Sequence, residues 1–277
     1  MKPAAFDFVR ARSLAEATQL LSQVDDARII AGSQSLGPML NLRMVQPRIL
    51  VDITGIPVVS EIEEDGDGIT VGACITTGNI EDGRLPIRGL AMLPEIASQI
   101  AYRAVRNRGT IGGSVCHADP AADWPSVLCA LNAECIITST MGSRRLPIQQ
   151  FVIGPFGTAL DRAEMLEAIK IPRLSTAGRW GYVKLCRRTG EFAMAIAAVL
   201  WDPPREQYRV VIGATSGRPI VVDDARLLVC GPSSADKPIL DPTEVLKLFD
   251  RHGILNDCAR QQHLVALQRA FSQAMSR

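Results

Sequence analysis

Apolar positions along the chain recur with a helical period in some stretches and a strand period in others, and turn-forming residues mark the changes. Leu14, Ala17, Leu20 and Leu21 share one face of a short helix opened by the capping box Ser13-Leu14-Ala15-Glu16. Residues 28–31 form a short apolar strand, and residues 48–53 read as a buried one. Residues 59–63 and 69–71 predict a hairpin across Asp65-Gly66-Asp67-Gly68. Thr76 can begin a short helix, and residues 94–102 predict a clearer one, with Ile96 and Ile100 on one face. Residues 134–139 and 165–171 predict strands, the second closed by Pro172, whereas 144–147 and 154–157 predict loops. From Thr176 onward, residues 179–187, 193–201, 208–214 and 220–222 predict strands. Two helices follow, at 242–249 and 257–275, with Leu264, Leu267 and Phe271 on one side of the second. The pattern predicts an α+β protein: a small α/β lobe over residues 1–56, a larger α+β lobe over 57–175, and a C-terminal α+β domain of strands covered by helices over 176–277.

Two junctions carry candidate chemistry. Gly32-Ser33-Gln34-Ser35 follows the strand at 28–31, and Leu36-Gly37-Pro38 can open a helix with Ser35 as its cap, since proline is tolerated in the first turn. Strand, Gly/Ser loop and helix start together present N–H groups and a positive dipole end to an anion. Asn107-Arg108-Gly109-Thr110-Ile111-Gly112-Gly113-Ser114 is a second such loop, in which adjacent glycines let successive N–H groups converge on a phosphate. Asp119 and Pro120 then predict the cap and first position of a helix reaching Leu131, with Asp123 in its first turn. Neither loop has Rossmann or P-loop spacing. Each alone is equally a tight turn, but the pair suits a diphosphate gripped from both sides.

Ala31-Gly32-Ser33-Gln34-Ser35 together with Thr110-Ile111-Gly112-Gly113-Ser114 resembles the paired FAD motifs of the medium subunit of molybdenum-containing hydroxylases. That family includes the carbon monoxide dehydrogenase flavoprotein subunit and the flavin domain of xanthine dehydrogenase. The resemblance runs along the whole chain, through Phe6-Asp7-Phe8, Ser13-Leu14-Ala15-Glu16-Ala17, Arg106-Asn107-Arg108-Gly109 and Lys184-Leu185-Cys186-Arg187-Arg188. It implies that the two N-terminal lobes form an FAD-binding domain holding one non-covalent FAD. The implied binding residues are Ile30, Ala31, Gly32, Ser33, Gln34, Ser35 and Leu36 from the first motif, and Thr110, Gly112, Gly113 and Ser114 from the second. Asp123 would contact the cofactor, Lys184 would lie beside it, Ile100 and Leu166 would be apolar walls, and His117 would be near the flavin. A fixed ammonium at Lys184 would favour the electron-rich reduced ring. Ser33 replaces the family's usual glycine, and Ser114 stands where Asn or Asp is frequent. The implied partners are a large subunit with a molybdenum–pterin centre and a small iron–sulfur subunit, assembled as a dimer of heterotrimers. Electrons would leave for an external acceptor: NAD⁺, a quinone or oxygen.

Composition narrows the alternatives. A length of 277 residues suits two domains or three small lobes, and 47% hydrophobic with 21% charged residues is ordinary for a soluble globular protein. A net charge of +1 gives no argument for nucleic acid or an anionic membrane. No apolar run approaches a membrane span and the first residues lack a signal-peptide core, so the expected location is the cytoplasm. Seven cysteines lie scattered without cluster spacing and three histidines without ligand spacing, so neither an iron–sulfur cluster nor a metal is expected on this chain. Cys116 and His117 adjoin the second loop but have no evident orienting group, and no catalytic side chain is assigned. Arg103, Arg106 and Arg108 could form a basic rim or simply be solvated. Two rivals remain: a self-sufficient flavin oxidase or reductase, which would need an acid–base pair not evident here, and a nucleotide-binding module without redox chemistry.

Overall fold

The computed structural model describes residues 2–84, 90–230 and 238–277. The chain begins with β1 (Asp7–Arg10), α1 (Leu14–Gln23), β2 (Ala27–Ile30), α2 (Leu36–Asn41) and β3 (Ile49–Asp52). The three strands make one parallel sheet in the order β1-β3-β2, so the fully buried Ile49–Asp52 lies in the middle. Helix α1 starts where the capping box predicts, with Ser13 Oγ accepting from Glu16 N–H at 3.1 Å.

Next come β4 (Ile62–Glu64), β5 (Gly68–Gly72) and four short helices: α3 (Thr77–Glu81), α4 (Met92–Ala97), α5 (Arg103–Arg106) and α6 (Ile111–His117). Then follow α7 (Asp123–Ala130), β6 (Glu134–Ser139), β7 (Gly142–Pro147), α8 (Ile148–Phe151), the small pair β8 (Val152–Gly154) and β9 (Gly157–Thr158), and β10 (Met165–Pro172). Five of these strands form an antiparallel sheet in the order β4-β5-β10-β6-β7. A second antiparallel sheet is a meander of β11 (Arg179–Leu185), β12 (Ala195–Asp202), β13 (Gln207–Gly213) and β14 (Ile220–Val222). Short strands β15 (Val229–Cys230) and β16 (Ile239–Leu240) lead to α9 (Pro242–Arg251) and α10 (Asp257–Ser276).

The meander sheet is covered on both faces, which explains why β12 is a continuous apolar run, buried at every residue. Its alternate residues split between two cores. Ile196, Ala198 and Leu200 join Trp124, Val127 and Leu128 of α7, while Ala195, Ala197, Val199 and Trp201 join Ala270 and Phe271 of α10. Helix α7, apolar all round apart from Asp123 and Ser126, is buried throughout between this sheet and the rest of the second lobe.

Several boundaries differ from the sequence expectation. Gly112 and Gly113 are not loop residues: they occupy the first turn of α6, capped by Thr110. Helix α7 starts at Asp123 rather than Pro120, because α6 ends on Ala118 in the left-handed region (φ 50°) and Asp119 caps only a turn, accepting from Ala121 N–H at 2.9 Å. The helix expected over 94–102 is α4 and ends at Ala97, and α5 begins only at Arg103, beyond Ala101, which is also left-handed at φ 46°. Residues 142–147 form strand β7 rather than including a loop at 144–147. As the edge strand of its sheet it needs no alternation, and Arg144 and Arg145 protect the open edge. Residues 58–60 are a 3₁₀ turn, so the first hairpin strand begins at Ile62.

Candidate functional site

The two Gly/Ser segments, far apart in sequence, touch in space. A Cβ on Gly32 would lie 1.9 Å from the Arg108 carbonyl oxygen, so only glycine allows the first loop to rest on the second. Gln34 braces the contact: its Nε2 donates to the Gly32 carbonyl at 2.9 Å, and its side chain lies under Gly109. Ser33 adopts φ 61°, a left-handed backbone that favours glycine, so the serine is held in a conformation that L side chains rarely take.

The loops differ in what they offer an anion. At α2, Ser35 occupies the N-cap position without a side-chain cap bond, but Gly37 N–H donates to the Ser33 carbonyl at 3.1 Å and Pro38 has no N–H, so of the first turn only the Leu36 N–H is left without a partner among the described residues. At α6 the donors are already used. Ile111 N–H donates to the Ile75 carbonyl, Gly112 to Ala73, Gly113 to Thr110 Oγ1 and Ser114 to the Thr110 carbonyl, all near 3.0 Å. The expectation of a second run of free N–H donors is therefore corrected. Packing requires these glycines: a Cβ on Gly112 would meet Ala73 at 2.5 Å, and one on Gly113 would meet the capping hydroxyl at 2.7 Å.

Both segments open into one cavity of about 980 Å³, at the upper end for a small-molecule site. Residues 30–36 line one side, and Thr110, Gly112, Gly113, Ser114 and His117 line another. Ile100 and Leu166 are apolar wall residues, and Asp123 and Lys184 line the same cavity. Every site residue expected from the sequence thus borders a single space.

Asp123 and Lys184 form a buried ion pair, Nζ to Oδ2 at 3.0 Å, with side chains 5% and 4% exposed. The hydroxyl of Tyr182 donates to the other oxygen, Oδ1. Burial pushes the Asp123 carboxyl upward, while the Lys184 charge and the Tyr182 hydroxyl pull it back. Burial, then the neighbouring carboxylate, holds the Tyr182 phenol well above its usual range. Removing one partner of such a pair leaves an uncompensated charge, at a cost of about 3–5 kcal/mol. Lys184 is therefore neither a surface lysine nor a lone ammonium, as its charge is compensated on the spot.

Other candidates resolve differently. Arg106 is tied to Glu81 (2.7 Å) and the Ile100 and Ala101 carbonyls, and Arg103 to Glu81 and Asp82, so neither offers a free basic rim. Burial raises the Cys116 thiol to about 12, which argues against a thiolate–imidazole dyad with His117. The His117 ring instead lies 5.2 Å from that of Phe156.

Residues 4–174 match the family of the FAD binding domain in molybdopterin dehydrogenase. The chain belongs to that family. The nicotine 6-hydroxylase medium subunit of Paenarthrobacter nicotinovorans is 34% identical over 234 residues, covering 83% of this chain and 82% of the relative. The carbon monoxide dehydrogenase medium chain of Hydrogenophaga pseudoflava is 36% identical over 201 residues, covering 72% and 70%. The reconstituted CO dehydrogenase from Oligotropha carboxidovorans superposes with a TM-score of 0.89 at 28% identity over 100% of both chains. This chain is accordingly an FAD-binding oxidoreductase subunit of the medium-subunit type, and its α+β fold is that of the family.

The cavity fits FAD on its own chemistry. It combines the start of α2, serine and threonine hydroxyls for a diphosphate, and apolar walls for a flat ring. Sequence reasoning missed several residues of the site. Tyr182, buried behind the wall, could have been found from its spacing, two residues before Lys184 on one strand. Thr77, whose hydroxyl accepts from Trp124 Nε1 at 3.2 Å, and Phe192, exposed at the rim, carry no such signal. An exposed ion pair between Arg162 and Asp25 spans lobes one and two at the cavity's edge and contributes little stability.

Proposed function

We propose that this chain is the flavin-bearing electron-transfer subunit of a three-subunit dehydrogenase, reduced by an iron–sulfur partner whose own source is a molybdenum–pterin subunit. The observation that carries the reading is the single cavity bordered by the uncapped start of α2, the turn Thr110–Ser114 and the buried Asp123–Lys184 pair. Residues 32–36 and the hydroxyls of Thr110 and Ser114 would hold the diphosphate, and Ile100 and Leu166 would flank the ring. When bound, FAD accepts single electrons and delivers them in pairs. The chain's contribution is binding, orientation and a compensated charge at the wall. Burial holds the Cys116 thiol protonated, and Asp123 is engaged by Tyr182 and Lys184, so neither is free to act on a substrate. That agrees with electron transfer rather than a self-sufficient oxidase, and in this reading substrate oxidation would belong to the large partner. By analogy with named relatives that are medium subunits or chains, this chain would be one subunit of a larger assembly. In this reading the assembly would be a doubled heterotrimer in the cytoplasm.

The test is purification of the native complex. The expected result is three co-purifying chains, iron and molybdenum only in the other two, and substrate-driven bleaching of the flavin only in the assembly. Substrate oxidation by the lone chain, or molybdenum or stoichiometric iron within it, would contradict the reading.

A further inference from the structure

The Asp123 carboxylate receives two donors from one strand. Tyr182 and Lys184 lie two apart on β11, so both side chains leave the same face of the sheet. The Tyr182 hydroxyl donates to Oδ1 and Lys184 Nζ donates to Oδ2 at 3.0 Å, which fixes the carboxylate at the first turn of α7. Asp123 and Lys184 border the cavity, whereas Tyr182 is buried behind them. We propose that Tyr182 is a positioning residue of the flavin site: by holding Asp123 ionised, it keeps the Lys184 charge compensated at the cavity wall. The proposal rests on the reading of the cavity as the FAD site and adds a residue that never touches the cofactor.

Two opposed effects act on the Asp123 proton. Burial favours the neutral carboxyl, and the two donors favour the carboxylate. Without the hydroxyl, the balance shifts toward protonation by about one to two pH units, the effect of one hydrogen bond to a charged group. A proton from solvent then converts carboxylate to carboxylic acid and leaves the Lys184 ammonium without its counter-charge. An uncompensated cation at the wall favours the reduced, electron-rich flavin, so the potential rises.

Other titratable groups near α7 do not share this role. Cys116 on α6 is held protonated by burial. Arg209 on β13 is fixed at the far end of α7 by the Cys129 carbonyl, Asn132, Gln149 and Asp223. Asp202 on β12 is bound to Ser175. His117, Asp119 and Cys186 remain in place when Tyr182 is changed, so they contribute equally to both profiles.

The experiment is a potentiometric titration of FAD-loaded wild type, Tyr182→Phe and Asp123→Asn from mildly acid to mildly alkaline pH. Wild type should follow the flavin's own slope. Tyr182→Phe should depart upward below a break lying about one to two pH units above the wild-type Asp123 transition, and Asp123→Asn should lie above wild type throughout, without a break. Parallel profiles for wild type and Tyr182→Phe overturn the proposal while leaving FAD binding intact. If a variant loses FAD, carboxyl-stretch infrared titration of the cofactor-free proteins reads the same proton. The protonated band, assigned by its loss in Asp123→Asn, must appear at higher pH in Tyr182→Phe, and coincident midpoints overturn the proposal. Failure of wild type to bind FAD would contradict the functional reading instead, and the infrared comparison would still decide this one.

Discussion

Gly32 is the position where one methyl group would do most damage, because its Cβ would fall 1.9 Å from a backbone oxygen that cannot rotate away. Gly32→Ala should push the two loops apart, lose FAD, and destabilise the chain by ~3 kcal/mol, the upper end for overpacking. Ser33→Gly next door should keep FAD, since it only relieves a left-handed non-glycine residue. Equilibrium unfolding and flavin content of the two variants check both statements, and an FAD-loaded, stable Gly32→Ala would show that the loops do not need their contact. At this scale the sequence was informative about which glycines matter but not about why. Gly112 and Gly113 read as a phosphate loop, yet their N–H groups serve the protein and their missing side chains serve packing. The backbone partners, on Ala73 and Ile75, are set by strand placement that no local pattern encodes.

Elements with a clear period were legible, and elements defined by their surroundings were not. The four strands of the meander and the two terminal helices follow the apolar pattern to within a few residues. Edge strand β7 was hidden because solvent on its open side removes the need for alternation, and α6 because two glycines are poor helix formers held helical by the Thr110 cap. The terminal helices also hold a titratable defect. His263 on α10 is 3% exposed, its Nδ1 has no hydrogen-bond partner among the described residues, and its ring packs edge-on to Phe249 of α9. Burial lowers its pKa, so the folded state resists a proton that the unfolded chain takes up near pH 6.5. As pH falls below that value the unfolded state binds more protons, and stability drops by up to ~1.4 kcal/mol per unit until the folded pKa is reached. Denaturant melts at pH 7 and pH 5 should therefore show His263→Leu losing less stability than wild type, by up to ~2 kcal/mol. Equal losses in both proteins would mean that another group controls acid sensitivity.

Taken as a whole, the molecule places its cavity where three sheets meet. The parallel sheet supplies β2 and the first loop, the five-stranded sheet supplies Leu166, and the meander supplies Lys184. Composition alone could not reveal this convergence, because the contributing residues span most of the chain. The paired Gly/Ser motifs pointed to part of it, because the two segments touch where Gly32 rests on the Arg108 carbonyl. The Asp123–Lys184 pair joins the start of α7 to strand β11 of the meander, so the cavity wall and the packing of α7 on that sheet share one contact. The account stands on the claim that this cavity holds FAD without a covalent bond. The most direct measurement is reconstitution of the flavin-free chain with FAD, followed by acid precipitation. One FAD per chain, recovered entirely in the supernatant and absent from Gly32→Ala, is the predicted result. Absence of FAD binding, or yellow colour retained in the precipitate, would contradict it.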